Sequence, residues 1–147
     1  MRAVIQRVGR SRLSVEDKEI SAIDGGLVVY LGVKKGDDFA DADYIVKKIA
    51  NMRIFEDENG KMNLSVKDVD GQILAVSQFT LYGDASGGNR PSFTMAEAPD
   101  RANELYEYVL AELNKHVVTR PGVFGADMTI EQVNLGPVTI ILESKAK

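Results

Sequence analysis

Apolar positions in the first part of the chain follow the spacing of β-strands. Residues 1–8 include RAVIQRV, in which apolar and polar residues partly alternate, and this favours a strand. Gly25-Gly26 is typical of a turn. Residues 27–33 (LVVYLGV) form a continuous β-rich apolar run, which predicts a strand buried on both faces of a sheet.

Helical spacing replaces the strand pattern in two places. The first helix is predicted for residues 37–52, with Asp37 or Asp38 as its N-cap. Its apolar residues recur every three or four positions: Ala42, Ile45, Ile49 and Met52. The second helix carries Pro99 in its first turn and ends near His116. Its apolar stripe consists of Ala102, Leu105, Tyr106, Val109 and Leu113.

Turn residues divide the rest of the chain into further strands. Asn59-Gly60 separates residues 53–57 from residues 61–66 and predicts a hairpin. Residues 72–83 (QILAVSQFTLYG) are predicted as one long strand, followed by the loop 84–93. The C-terminal third of the chain is predicted to add further strands, so the expected fold is a strand-rich mixed α/β domain with two main helices.

Composition narrows the possible chemistry. The 147 residues are 44% hydrophobic and 27% charged, which is typical of one globular domain, and we assign residues 1–147 to it. The absence of cysteine excludes disulfides, thiolate zinc sites and cysteine nucleophiles, and the single histidine excludes a multi-histidine metal site. We expect no metal and no cofactor. No signal peptide or membrane span is predicted, so a cytoplasmic location is expected.

The net charge of −4 argues mildly against nucleic-acid binding. Four arginines nevertheless lie close together near the N-terminus: Arg2, Arg7, Arg10 and Arg12. They fit a solvated strand and turn, or alternatively a patch that contacts phosphates on an otherwise acidic protein.

Most catalytic sets known from other enzymes are missing. His116 lies just past a helix, where a charge at the helix terminus is a simpler interpretation than catalysis. The carboxylates near the start of the first helix complement the helix dipole more simply than they bind a metal. The chain has no phosphate-binding loop and no dinucleotide fingerprint.

Two segments do suggest a site. Residues 77–83 (SQFTLYG) place polar side chains in a predicted buried strand, where each needs a partner or costs roughly 1–3 kcal/mol. They could present hydroxyl, amide and backbone N–H groups to a ligand, or simply face water. Residues 134–139 (NLGPVT) place a proline between two apolar strands, which indicates a bulge, an edge or an ordinary turn. These patterns alone identify no reaction.

The two segments belong to a larger set of motifs: MRAVIQRV, RIFEDENGKMNLSV, SQFTLYGD, RPSF, FGADM and NLGPVT. Together they resemble the D-aminoacyl-tRNA deacylase family over nearly the whole chain. The resemblance implies a fold of β/β/α layers and hydrolysis of the ester between a D-amino acid and its tRNA. It also implies a homodimer with two equivalent active sites at the subunit interface, and tRNA as the partner.

The resemblance also assigns roles to residues. The pocket for the 3′-terminal aminoacyl-adenosine would be lined by Ser77, Gln78, Phe79 and Thr80. The adenine would be held, and the pocket shaped, by Phe124, Gly125, Ala126 and Met128. A cis Gly136-Pro137 pair would reach into the partner's site and exclude L side chains, with Arg7 supporting the arrangement. Glycine, which lacks a side chain, would pass this filter, so glycyl-tRNA mischarged on tRNA-Ala is a further expected substrate.

Some questions stay open at this level. Thr80 is a candidate nucleophile, but no base is placed to activate it, so we favour assistance by the terminal 2′-hydroxyl of the tRNA. Leu135, the loop Gly87-Gly88-Asn89-Arg90 and the stretch Thr119-Arg120-Pro121 depart from the family pattern and affect how the tRNA is held. The alternatives are an enzyme tuned to glycyl-tRNA, a non-catalytic RNA-binding scaffold and a metal-dependent hydrolase.

Overall fold

Eight strands and two helices follow one another in the computed structural model, which describes residues 1–145. They are β1 (Arg2–Val15), β2 (Lys18–Ile23), β3 (Gly26–Gly32), α1 (Phe39–Asn51), β4 (Phe55–Glu56), β5 (Met62–Leu64), β6 (Gln72–Ser77), α2 (Pro99–Asn114), β7 (Thr119–Pro121) and β8 (Thr129–Glu143). The last two residues of the predicted domain 1–147 lie outside the described residues. None of the described helices is both long and apolar enough to cross a membrane.

The long strand β1 organises the main sheet. Along one edge its first half pairs antiparallel with β3 and its second half with β2, while β8 pairs antiparallel along the other edge. The sheet continues through β3 into β6 and then β7, and both of these pairings are parallel. β4 and β5 form the predicted hairpin as a separate two-stranded sheet, with Gly60 at a φ of +76° in its turn.

Both helices cover one face of this sheet, and their predicted apolar stripes form the larger core. Asp38, not Asp37, caps α1: its carboxylate accepts hydrogen bonds from the backbone N–H of Ala40 (3.0 Å) and Asp41 (3.4 Å). The carboxylate of Asp41 in turn accepts a hydrogen bond from the N–H of Asp38 (2.9 Å), which completes a capping box. The main residues in this core are Ile5, Leu27, Val29, Ile45, Ile49, Ile73, Leu105, Tyr106 and Val109.

A second, smaller core lies on the opposite face. Val28 and Val29 are adjacent in β3 but belong to different cores, which confirms the prediction of a strand buried on both faces. The second core is closed by the far half of β1, by β2 and by the start of β8: Val8, Leu13, Ile23, Val28, Leu74 and Val76, with Met128 and Ile130 packed against them. The fold therefore has the expected β/β/α layers.

Two strand predictions were wrong. The strand predicted for residues 72–83 ends at Ser77, and a 3-10 helix follows at Phe79–Tyr82. The change occurs because the N–H of Gln78 makes the last bond to β3, to the carbonyl of Leu31 (2.8 Å), before the backbone turns. The first strand also continues past residue 8 to Val15 and turns through Glu16 and Asp17, both at positive φ, into β2, which no pattern had predicted.

Candidate active site

A cleft of about 700 Å³ opens where the end of β6, the loop after β7 and the start of α2 meet. It brings together two segments that are distant in sequence but were predicted to share a site. The predicted residues that line it are Ser77, Gln78, Phe79, Phe124, Gly125, Ala126 and Met128. The remaining predicted site residues, Thr80, Arg7, Gly136 and Pro137, are not among those that line it.

The first wall of the cleft is the 3-10 helix that follows β6, and it lies against Gly32 of β3. A Cβ atom at Gly32 would stand 3.0 Å from the Cβ of Leu81 and 3.2 Å from the carbonyl oxygen of Gln78. Both distances are shorter than ordinary van der Waals contact, so the absence of a side chain at Gly32 allows this close packing. The position of this wall is therefore fixed by backbone packing against the sheet.

This wall presents polar groups to the cleft and its rim. Within the described chain, the backbone N–H groups of Phe79 and Thr80 have no hydrogen-bond partner. The exposed hydroxyl of Thr80 accepts a hydrogen bond from the side-chain amide of Gln78. The wall therefore offers two free backbone donors next to a hydroxyl whose neighbour is an amide, which is not a base.

The second wall is the loop from Gly122 to Met128, and Tyr106 fixes it to the sheet. The buried Tyr106 hydroxyl donates to the carbonyl of Ala75 in β6 (2.7 Å) and accepts from the N–H of Gly122 (3.0 Å). Burial raises the pKa of Tyr106 to about 12, so the hydroxyl stays protonated and keeps donating. Because Ala75 lies two residues before Ser77, this one hydroxyl links both walls.

The floor and mouth of the cleft include residues to which the sequence analysis assigned no role in the site. Phe93 closes one side of the mouth, and the start of α2 supplies an apolar surface at Pro99 and Ala102. Glu97 and Asp127 also line the cleft, and Glu97 accepts a hydrogen bond from the N–H of Ala98 (2.8 Å). The motif RPSF contains Phe93, but only the fold shows that it lies next to Phe79.

The Gly136-Pro137 segment lies in an exposed bulge of β8, and its peptide bond is cis. Between the pairs Gln6–Thr139 and Val8–Asn134, β1 advances by two residues while β8 advances by five. The extra residues therefore protrude from the ladder, as the proline had indicated.

Arg7 holds this bulge from β1. Its guanidinium donates to the carbonyl of Leu135 (3.2 Å) and to the carbonyl of Ile54 (2.9 Å). Arg7 thus connects the Gly-Pro bulge to the segment that precedes the β4–β5 hairpin. Arg7 was predicted to support the active site. Its two hydrogen bonds in the structure go to backbone carbonyls of its own chain, so it supports the bulge directly.

The other N-terminal arginines do not form one free phosphate patch. Arg2 pairs with Glu143 and lies over the ring of Tyr82 (4.7 Å to its centroid). Arg12 pairs with Glu131 at 2.5 Å, and both side chains are more than half exposed. Arg10 is exposed and has no ion pair in the described chain.

The carboxylates and the histidine considered from sequence lie outside the cleft. Asp37 is buried, accepts a hydrogen bond from the N–H of Lys34 (2.7 Å) and lies 2.7 Å from the α-amino group of Met1. His116 is exposed just beyond α2. The polar groups available in the cleft are therefore those of its two walls, together with the carboxylates of Glu97 and Asp127.

Known proteins resemble this chain over nearly its whole length. The family model described as D-Tyr-tRNA(Tyr) deacylase matches residues 4–143. Curated D-aminoacyl-tRNA deacylases from Heliobacterium modesticaldum and Koribacter versatilis are each 56% identical over 146 residues, and one from Syntrophus aciditrophicus is 51% identical. The matches cover 99% of this chain and 97–98% of those proteins.

Two solved structures have the same fold. One, described as c-Myc DNA Unwinding Element Binding Protein, superimposes with a TM-score of 0.94 at 43% identity and covers 99% of this chain and 100% of that one. The other, a probable eukaryotic D-amino acid tRNA deacylase, gives a TM-score of 0.80 at 18% identity, with 96% and 97% covered. At that identity the second likeness shows the fold alone.

Fold, cleft and relatives together define a class of protein, a hydrolase that acts on carboxylic ester bonds. The chain belongs to the D-aminoacyl-tRNA deacylase family, whose members hydrolyse the ester between a D-amino acid and tRNA.

Proposed function

We propose that this enzyme proofreads chirality in the cytoplasm. It cleaves the ester at the 3′-terminal adenosine of D-aminoacyl-tRNA, also cleaves glycyl-tRNA mischarged on tRNA-Ala, and leaves L-aminoacyl-tRNA intact. The observation that carries the proposal is the cleft itself, where residues 77–79 face residues 124–128 beside two free backbone N–H groups. In this proposal the second wall holds the adenine, and the first holds the ester.

The free N–H groups of Phe79 and Thr80 suit the charge that develops during ester hydrolysis. A water molecule attacks the ester carbonyl carbon, and the carbonyl oxygen becomes an oxyanion that these two donors stabilise. The bond to the 3′-oxygen then breaks. The 2′-hydroxyl of the terminal ribose relays the proton of the water to the departing 3′-oxygen, so free tRNA and the amino acid are released.

Thr80 is not the nucleophile in this mechanism. A threonine hydroxyl needs a neighbouring proton acceptor to become nucleophilic. The Thr80 hydroxyl is bonded to the amide of Gln78, and no carboxylate or imidazole bonds to it among residues 1–145. This favours a role for Thr80 in holding Gln78 in position and leaves the proton relay to the substrate.

The chiral filter is proposed to come from a second copy of the chain. Gly136 and Pro137 are exposed and absent from the lining of the cleft in their own protomer, so they are free to reach another. In the described chain β8 pairs with β1 alone and exposes Val133 (53%), Leu135 (45%) and Ile141 (65%). A two-fold interface along this strand would exchange the two bulges reciprocally.

A backbone filter suits the required selectivity. A thousandfold rejection of L-aminoacyl-tRNA needs about 4 kcal/mol, at roughly 1.4 kcal/mol per factor of ten. Soft side-chain pockets separate substrates that differ by one methylene by only about 1–3 kcal/mol. Backbone groups held by Arg7 would exclude an L side chain by steric overlap while admitting a hydrogen atom, and glycine passes for the same reason.

The first experiment compares amino-acid release from D-tyrosyl-tRNA, L-tyrosyl-tRNA and glycyl-tRNA-Ala, with and without a chelator. We expect rapid release from the first and third, none from the second, and no effect of the chelator. Release of L-tyrosine at a comparable rate would contradict the chiral filter. Binding without release would identify a non-catalytic nucleic-acid-binding protein, a class suggested by the name of one solved relative. Loss of activity with the chelator would identify a metal-dependent hydrolase.

Mixed dimers test whether the filter crosses the interface. Ala126→Phe fills the cleft, and Gly136→Ala displaces the bulge so that it obstructs the cleft it enters, so each variant alone should be inactive. In a mixed dimer the intact cleft of one chain meets the intact bulge of the other only if the site is shared between subunits. Random mixing should then restore about a quarter of the wild-type activity, since half of the dimers contain one intact site. No recovery in dimers shown to be mixed would contradict a shared site.

A further inference from the structure

Two exposed phenylalanine rings stand side by side at the mouth of the cleft. Phe79 is 54% exposed and Phe93 is 38% exposed, and both line the cleft. Their ring centroids are 5.1 Å apart and their planes are inclined at 67°, an edge-to-face pair. Phe79 faces the region assigned to the ester, so Phe93 extends the aromatic surface outward from it.

The position of Phe93 is fixed by the backbone. The loop 84–93 is closed by two hydrogen bonds of 2.8 Å each, in which Asp84 and Ser92 exchange their N–H and carbonyl groups. A Cβ atom at Gly83 would lie 2.9 Å from Cε1 of Phe93, so the ring rests directly on the chain that leaves the 3-10 helix. An aromatic ring that is already held in one exposed position loses little conformational entropy when a ligand stacks on it.

The same loop carries an available positive charge. Arg90 is exposed and makes no ion pair or side-chain hydrogen bond in the described chain. The acidic residue of the loop is already engaged, because the carboxylate of Asp84 accepts hydrogen bonds from the N–H and hydroxyl of Ser86 (2.9 and 2.6 Å). These bonds hold the pKa of Asp84 below its usual value. Gly87 and Gly88 have open space around them, so the tip of the loop leaves room for a ligand.

We propose that Phe93 stacks against the nucleotide that precedes the terminal adenosine, and that Arg90 contacts the phosphate that joins the two. This inference rests on the proposed function, since it assumes that the terminal aminoacyl-adenosine occupies the cleft. The preceding nucleotide is a cytidine in every tRNA, so stacking on it adds affinity without selecting among tRNAs. Stacking on an aromatic ring also needs few cationic residues, which suits a protein with a net charge of −4.

The test compares three substrates with the same D-tyrosyl ester: adenosine alone, the dinucleotide cytidylyl-adenosine, and full-length tRNA. Phe93→Ala should lower kcat/KM for the dinucleotide and the tRNA by roughly 5- to 150-fold, the equivalent of one stacked base. The loss of kcat/KM for the adenosine ester should be smaller than the loss for the dinucleotide ester by about fivefold or more, and Phe93→Tyr should retain activity on all three.

Phe39→Ala is the matched control, because Phe39 is 40% exposed and forms a similar edge-to-face pair with Tyr108 (4.8 Å) away from the cleft. It should leave all three substrates unaffected. Arg90→Ala should lower kcat/KM for the dinucleotide and tRNA esters. It should also reduce the slope of log kcat/KM for tRNA against log salt concentration by about one. Lys115→Ala, at the far end of α2, removes the same charge without this effect.

Three results would overturn the inference. Equal loss on all three substrates would show that Phe93 only positions Phe79. No loss on any substrate would show that the ring binds nothing, and equal kcat/KM of the wild-type enzyme on adenosine and dinucleotide esters would show that the subsite is absent. A wild-type enzyme that cleaves none of the three esters would contradict the proposed function instead, which keeps the two failures distinct.

Discussion

The two segments that sequence motifs singled out are held in very different ways. The segment 77–83 lies against Gly32 of the central sheet, and its neighbour Ala75 is tied through Tyr106 to the opposite wall of the cleft. The segment 134–137 protrudes from a strand that pairs along one edge, exposes every residue, and is held mainly by Arg7. Both contain a glycine in a close contact, but only the first belongs to a cleft in its own chain.

The two segments differ in how they are held because they are proposed to do different things. A wall that must keep backbone donors at fixed positions is built into the core, where many contacts determine its geometry. In the proposed function the Gly-Pro bulge enters another protomer, so it must stand clear of its own protomer, and it depends on a few directed hydrogen bonds. Changes at the bulge should therefore affect activity more than folding, and changes behind the cleft should affect both.

The largest expected effect is that of Gly136→Ala. Gly136 has a φ of +118°, at which alanine is strained, and an added Cβ would lie 3.2 Å from the backbone nitrogen of Val138, so the bulge must shift. A misplacement of this kind lowers kcat/KM on D-tyrosyl-tRNA by roughly 100-fold or more. Gly9→Ala is the control, because its Cβ would make an ordinary 3.6 Å contact with Leu135. Equal activity of the two variants would show that the bulge is not part of any site.

Arg7→Ala should have the next largest effect. The two carbonyls lose a charged donor, so the bulge becomes mobile, and the ratio of kcat/KM for D-tyrosyl-tRNA to that for L-tyrosyl-tRNA falls by about 10- to 100-fold. Arg10→Ala, on the same strand but without these contacts, should behave as wild type. Unfolding by urea should show only a small loss of stability for Arg7→Ala. A loss of several kcal/mol would mean that Arg7 supports the whole fold and not the bulge alone.

Tyr106→Phe tests how firmly the two walls of the cleft are held together. Removing the hydroxyl leaves the carbonyl of Ala75 and the N–H of Gly122 with one bond fewer and costs about 1–2 kcal/mol of unfolding free energy. Because both walls loosen, KM on D-tyrosyl-tRNA should rise by roughly threefold to tenfold. Tyr108→Phe loses only a hydrogen bond to the exposed Asp43 and should cost less than about 0.5 kcal/mol. Similar stability losses in the two variants would contradict this account.

Thr80→Ala should have the smallest effect. If the tRNA supplies the proton relay, kcat measured in single-turnover experiments should fall by no more than about threefold, the cost of a less firmly held Gln78. The backbone N–H of residue 80 is still present in alanine, so the proposed oxyanion donors are unchanged. A fall of kcat to the uncatalysed rate would restore Thr80 as the nucleophile.

Local patterns predicted much of the fold. Helical spacing identified both helices, and Asn59-Gly60 identified the hairpin, because those signals depend on neighbours in the chain. The end of β6 was missed, since the turn after Ser77 depends on packing against Gly32, more than forty residues earlier. β2 was missed because its turn uses positive φ at Glu16 and Asp17, without the glycine that usually signals such a turn.

The site was predictable in part. The resemblance of motifs assigned eight residues to the two walls of the site: Ser77, Gln78, Phe79, Thr80, Phe124, Gly125, Ala126 and Met128. The fold places all of them except Thr80 along one cleft. Sequence reasoning did not find Tyr106, which had been assigned to the apolar stripe of α2, or Phe93, because their roles depend on contacts across the fold. A hydroxyl on an apolar stripe is a weak signal of a buried hydrogen bond, and it could have marked Tyr106.

The open edge of β8 also bears on how the protein behaves in solution. Within residues 1–145 the outer edge of β8 pairs with no strand and carries exposed valine, leucine and isoleucine, so it can add a strand from another chain. A chain whose β8 edge is uncovered is therefore at risk of aggregation, and the proposed two-fold interface would protect it. Storage losses should consequently fall, not rise, as the protein is concentrated, until the edge is fully occupied.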